Sequence, residues 1–153
     1  MRIPTTLILA LGVLLLQVAA RAQSLVTQEE FRAEQHAPPL PAIKALPVAG
    51  APRIDVQAPA QGGSVVAPFE IRLKLVADDG ARILPETLRI LYGALGLDIT
   101  SRVLKQAEYK DNVLRIDRAN VPVGKHRLIV KVRDSLQREG QLELTLVVVD
   151  KAA

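Results

Sequence analysis

Two histidines and no cysteine limit the chemistry open to this 153-residue chain. A Cys nucleophile and a Cys-ligated metal are excluded outright. Zinc takes three or four imidazole, thiolate or carboxylate ligands, and two distant histidines cannot supply them. A Ser–His–Asp set would have to use one of the two. His36 stands beside a proline-rich stretch that nothing holds rigid, and His126 falls on the apolar face of an alternating segment, with no serine placed beside it. His126 is therefore read as a structural histidine. The carboxylates offer one further site. Asp78-Asp79-Gly80, with Asp98, Asp111 or Asp134 as partners, is a candidate calcium loop, making Asp78 and Asp79 the metal candidates. Calcium wants about six to eight oxygens in a tight cage, and Asp-Asp-Gly is the ordinary composition of a turn.

Other functions lack their signatures. Gly62-Gly63 is not followed by the Lys-Ser/Thr that completes a phosphate loop. Two Tyr and two Phe give no platform for stacking a sugar. Arg127, Lys131 and Arg133 line one strand face, but Glu70, Asp117 and Glu143 on other strands dilute them, so no nucleic-acid stripe results. No cofactor is expected.

The elements that position these residues begin at a greasy amino terminus. Arg2 precedes an apolar run from Leu7 to Leu16, and Ala20-Arg21-Ala22 is a small-x-small site. That is the layout of a secretory signal peptide over residues 1–22, cleaved after Ala22. The apolar run is too short for a bilayer span of ~20 residues, so no stable membrane span is expected after cleavage. Without Arg2 and Arg21 the chain keeps eighteen basic and sixteen acidic residues, a charge of +2 where the whole chain has +4. The mean hydropathy of +0.20 is inflated by the same segment.

Residues 23–52 read as a flexible proline-rich lead. Thr27 with Glu30 is a capping box for a short helix, which would fray or dock elsewhere. Pro38, Pro39, Pro41, Pro47 and Pro52 then favour an extended spacer. From Arg53 the apolar period is two. Phe69 to Leu75, Leu88 to Tyr92, Val113 to Asp117, His126 to Arg133 and Leu142 to Val148 alternate as half-buried strands. Short pieces at 54–56, 64–66 and 97–100 complete seven or eight strands. Turn residues separate them at Gly62-Gly63, Asp78-Asp79-Gly80, Gly93, Gly124 and Gly140. Over 84–95 one helical turn is the alternative, because Pro85 with Glu86 is a fair helix start. Short strands with one apolar face each must pair two sheets face to face.

Val123-Gly-Lys-His-Arg-Leu-Ile-Val-Lys-Val-Arg-Asp134 resembles the penultimate strand of bacterial immunoglobulin-like and fibronectin-type-III-like domains. Ala58-Pro-Ala-Gln-Gly-Gly-Ser-Val-Val-Ala-Pro-Phe69 resembles their opening turn and second strand. The resemblance covers roughly 53–150, without the antibody-type Cys and Trp. It implies an all-β, two-sheet antiparallel sandwich of about seven strands over 53–153. It also implies a structural corner at Gly124, His126 and Asp134, with the His126 ring bonded to backbone at the bend. Ile129 and Val147 face outward, and side by side they would form a contact patch. The function expected is a non-enzymatic binding or structural module, periplasmic or secreted, that contacts another envelope or extracellular protein. A hydrolase or hydrolase accessory protein using His126 or Asp78-Asp79 is one alternative. A calcium-dependent adhesion module is the other.

Overall fold

The period-two segments pair as strands because each presents one apolar row that only a facing sheet can cover. The computed structural model describes residues 24–38 and 48–151, so the leader and residues 39–47 lie outside the described residues. Among these, helix α1 (Gln28–His36) is followed by β1 (Arg53–Ala58), β2 (Ser64–Val66), β3 (Phe69–Val76), β4 (Ile83–Tyr92) and β5 (Leu97–Asp98). Then come helix α2 (Thr100–Leu104), β6 (Glu108–Lys110), β7 (Val113–Ala119), β8 (Gly124–Asp134) and β9 (Glu139–Val149).

One sheet has the order β1-β3-β7-β6 and the other β2-β9-β8-β4-β5. In chain order these are the first, second, fifth and fourth main strands on one side, and the third, sixth and seventh on the other. Two short strands extend the second side. That is the strand order of an immunoglobulin-like sandwich. Ile71, Leu73, Leu75, Leu114 and Ile116 face Leu88, Ile90, Leu128, Val130, Val132, Leu144, Leu146 and Val148 across the core, all buried. A one-residue slip would turn each row to solvent, so burial itself holds the register.

Three features differ from the sequence expectation. The pairing is not wholly antiparallel, since β2 runs parallel to β9, with Ser64 opposite Val147 and Val66 opposite Val149. Residues 83–92 are strand, not a helical turn. Pro85 lies where the β4–β8 register shifts between Leu84 and Arg89, a bulge that tolerates a missing donor. The helical turn sits later, at α2.

The third difference concerns the lead. Residues 24–36 are not a free spacer but part of the packed unit. Thr27 and Glu30 form the capping box in both directions. A helix of nine residues is marginal alone, and tertiary contacts hold this one. Leu25, Val26 and Phe31 are buried in the same core as the strands. The Leu25 N–H donates to the Asn120 carbonyl at 2.9 Å, so the segment closes the end of the sandwich between β7 and β8.

Candidate functional site

Strand β8 carries all three corner residues, but not at one place. Gly124 and His126 stand at its start and Asp134 at its end, about 30 Å apart at ~3.3 Å per residue. They belong to two separate clusters, one at each end of the sandwich.

The first is built around His126, which β8's alternation turns into the core, 1% exposed. Its Nε2 lies 2.7 Å from the Pro122 carbonyl and its Nδ1 2.9 Å from the Tyr92 hydroxyl. A carbonyl can only accept, so Nε2 carries the proton and Nδ1 accepts from Tyr92. Both ring nitrogens are thus satisfied in the neutral form. Burial pushes the His126 pKa down, against the Pro122 hydrogen bond and the Glu34 charge, which pull it up. Burial also pushes Tyr92 up to about 12, with the Glu34 and Glu30 carboxylates adding to it.

Helix α1 covers this cluster. The Phe31 ring lies 4.7 Å from that of His126, centre to centre. Gly124 makes the approach possible. A Cβ there would stand 2.3 Å from Phe31 Cζ, and its φ of +141° disfavours any side chain. Glu34 Oε2 accepts from the Ala94 N–H at 2.6 Å. Glu30 forms a two-pronged pair with Arg102 at 2.7 and 2.8 Å, and Arg102 also donates to the Leu25 carbonyl at 3.0 Å. The Arg102 hydrogen bond holds the Glu30 carboxyl down at about 2. A cavity of about 30 Å³ lies beneath, lined by Leu25, Val26, Tyr92 and His126 among apolar neighbours. It has room for roughly one water and no substrate.

The second cluster gathers Asp78, Asp79 and Asp134. Asp134, fully buried, accepts from the N–H groups of Leu136 at 2.9 Å and Arg138 at 3.0 Å, and from Arg138 Nε at 2.8 Å. Burial pushes its pKa up, and these hydrogen bonds overcome that to hold it below the usual range. Arg138 then donates to Asp79 Oδ2 at 2.8 Å and to the Asp78 carbonyl at 3.2 Å. Asp78 Oδ2 lies 3.7 Å from Arg53. Asp78, Asp79 and Asp134 therefore face guanidinium groups, which compete with a cation for their oxygens, while Asp98 accepts from the Thr100 N–H at 2.9 Å. Among the described residues no three His, Cys, Asp or Glu side chains converge as a metal site.

Ile129 and Val147 are not side by side. Ile129 stands opposite Glu143 and Val147 opposite Lys125, four residues or ~13 Å further along the pair, with Arg127, Thr145 and the Arg127–Glu143 ion pair between them. Each has a different apolar neighbour. Leu91 of β4 is opposite Ile129, in mid-sheet. Val66, Val147 and Val149 cluster at the β2 edge with Val123, which precedes Gly124, all 36–47% exposed. Strand alternation alone shows which residues face outward. Which of them are neighbours depends on register, and Phe31, Tyr92 and Arg102 gave no local signal of their place around His126.

Strand order and buried corner together define an immunoglobulin-like β-sandwich closed at one end by an N-terminal helix. No family model matches the chain, and no curated protein matches it. Among solved structures, similarity is found to an endo-β-1,4-mannanase from Thermotoga petrophila, at 13% identity and a TM-score of 0.48, covering 65% of this chain and 20% of that one. The fibronectin(III)-like modules of Clostridium thermocellum CbhA give 13% identity and 0.42, over 64% and 46%. CopC from Methylosinus trichosporium OB3b gives 19% and 0.38, over 65% and 95%. The chain thus spans one-fifth of the mannanase and under half of the CbhA modules. No helix among the described residues is long and apolar enough to cross a membrane.

Proposed function

We propose that this chain is a non-enzymatic binding or structural module, exported through its leader and acting by protein–protein contact in the cell envelope or outside the cell. The observation that carries the reading is the outer face of the five-stranded sheet. At its β2 edge Val66 stands opposite Val149, Val147 is two residues along the same strand from Val149, and Val123 precedes Gly124, which pairs with Val148; all four are more than a third exposed. A grouped apolar patch on a charged surface marks an interaction site better than scattered single residues do. The buried polar groups support the same reading, since His126 and Asp134 spend their hydrogen bonds on backbone and on Tyr92 and Arg138.

Crosslinking in the native envelope tests it. The wild-type chain is expected to yield a discrete crosslinked partner. Val66→Lys with Val149→Lys is expected to lose that partner while keeping its melting temperature within a few degrees. A crosslinked partner retained by the double variant would overturn the assignment of this face.

A further inference from the structure

Strand β9 is paired along nearly its whole length on one side and hardly at all on the other. Facing β8, its ladder runs from Glu139 to Val148. On the opposite edge β2 reaches only Val147, Val148 and Val149. At the start of the strand the chain at Pro52 abuts Gly140, where a Cβ would stand 1.9 Å from the Pro52 carbonyl oxygen. Between these two closures, residues 141–146 have no ladder partner on that edge among the described residues. The gap is about 20 Å long at ~3.3 Å per residue. A strand edge of that length presents alternate N–H and C=O groups as a template for another chain.

We propose that this edge receives an extended strand of another protein, apolar at alternate positions on its core side and basic on its solvent side. Only an extended segment can meet the free backbone groups of β9 in register. The apolar row follows from the seam between the sheets. Leu144, Leu146 and Val148 are buried at 3%, 2% and 1% exposure, whereas Leu142 in the same row is half-buried. Val56, on the edge strand of the other sheet, is half-buried too. A groove of about 560 Å³ opens between β1 and the start of β9, lined by Arg53, Ile54, Asp55, Gly140 and Gln141 among others. An incoming apolar side chain would complete the cover of Leu142. The basic row follows from charge. Glu139 and Glu143 stand on the outward row of β9 and pair with Lys131, Arg133 and Arg127 of β8. A basic strand on the free side would face the same acidic row from its other flank, as cross-strand pairing favours. A second copy of β9 would bring further carboxylates there, so the strand belongs to a different protein.

Amide hydrogen exchange on the full chain tests this, with a synthetic peptide alternating valine and lysine as the probe. In the free protein, alternate amides over 141–146 are expected to exchange fast, while those bonded to β8 are protected. Millimolar peptide is expected to slow the fast set at least tenfold. A peptide with proline in place of the central valine lacks a donor and is expected to leave them fast. Glu143→Lys is expected to reverse the preference between the valine–lysine peptide and a valine–glutamate peptide. Protection of every one of these amides in the free protein, or no slowing by the valine–lysine peptide, would overturn the inference. Neither result touches the valine patch, which lies on the outer face and contacts through side chains. Equal slowing by the proline peptide would overturn the backbone pairing, and an unchanged preference in Glu143→Lys would overturn the basic row.

Discussion

Replacing His126 with phenylalanine keeps a ring in the same place and removes both of its hydrogen bonds. The Pro122 carbonyl and the Tyr92 hydroxyl then lose their partners where water is excluded. An orphaned buried polar group costs about 1–3 kcal/mol, so the two together cost roughly 2–6 kcal/mol. The apolar ring recovers part of this because no imidazole has to be desolvated. The expected net loss is about 2–4 kcal/mol, a large fraction of the stability of a domain this size. Tyr92→Phe alone strands His126 Nδ1 and is expected to cost about 1–3 kcal/mol. The double variant leaves only the Pro122 carbonyl unpartnered. It is therefore expected to be no less stable than His126→Phe alone, a clear departure from additivity. Urea unfolding followed by circular dichroism measures all four corners of the cycle. A His126→Phe loss below about 0.5 kcal/mol, or additive costs in the double variant, would refute the bonding pattern drawn here.

The same histidine sets an acid limit. Its pKa in the fold lies below 6.5, so as pH falls through 6.5 the unfolded chain takes up a proton that the folded chain resists, and stability declines. His126→Phe is expected to flatten that slope in melting temperature against pH. A second decline belongs to Glu30, whose carboxyl is held at about 2 against 4.5. Its contribution is whole above 4.5 and fades toward pH 2, and Arg102→Ala is expected to remove this lower limb while costing about 1 kcal/mol at neutral pH, since the pair is partly solvated. Gly140→Ala would place a Cβ 1.9 Å from the Pro52 carbonyl oxygen, a backbone atom that cannot swing aside. Its urea midpoint is expected to drop by the equivalent of about 1–3 kcal/mol. Gly124→Val should displace Phe31, and the expected sign is faster proteolysis after Arg32 in a digest that leaves the strands intact.

The alternating rows at 69–75, 113–117, 126–133 and 142–148 were plain because one sheet face is buried and the other wet. Strand β6 was missed because Glu108-Tyr109-Lys110 is too short to show a period. Pro85 with Glu86 imitated a helix start, and the burial of Leu88, Ile90 and Tyr92 decides for the strand that their alternation had also suggested. The capping box revealed α1, whereas its docking did not show, because Arg102 lies 72 residues beyond Glu30. His126 was placed on the inner face by alternation. Tyr92, its hydrogen-bond donor, comes from another strand and from a register that no local pattern encodes. Similarly, Asp78 and Asp79 read from sequence as a turn or a calcium loop, because Arg138, which joins Asp79 to Asp134, lies 59 residues beyond Asp79.

The parallel ladder between β2 and β9 joins Ser64 to Val147, 83 residues apart in the chain. No nearby turn can nucleate it, and the entropy of closing so long a loop must be met before its three rungs return anything. Although β4–β5, β6–β7 and β8–β9 are local hairpins, the ladders that join the rest are also long-range: Ile71 pairs with Ile116 and Leu91 with Ile129. Folding is therefore expected on the millisecond-to-second scale of high-contact-order β proteins. During that interval the edge of β9 that later receives β2 is unpaired and exposed to neighbouring chains.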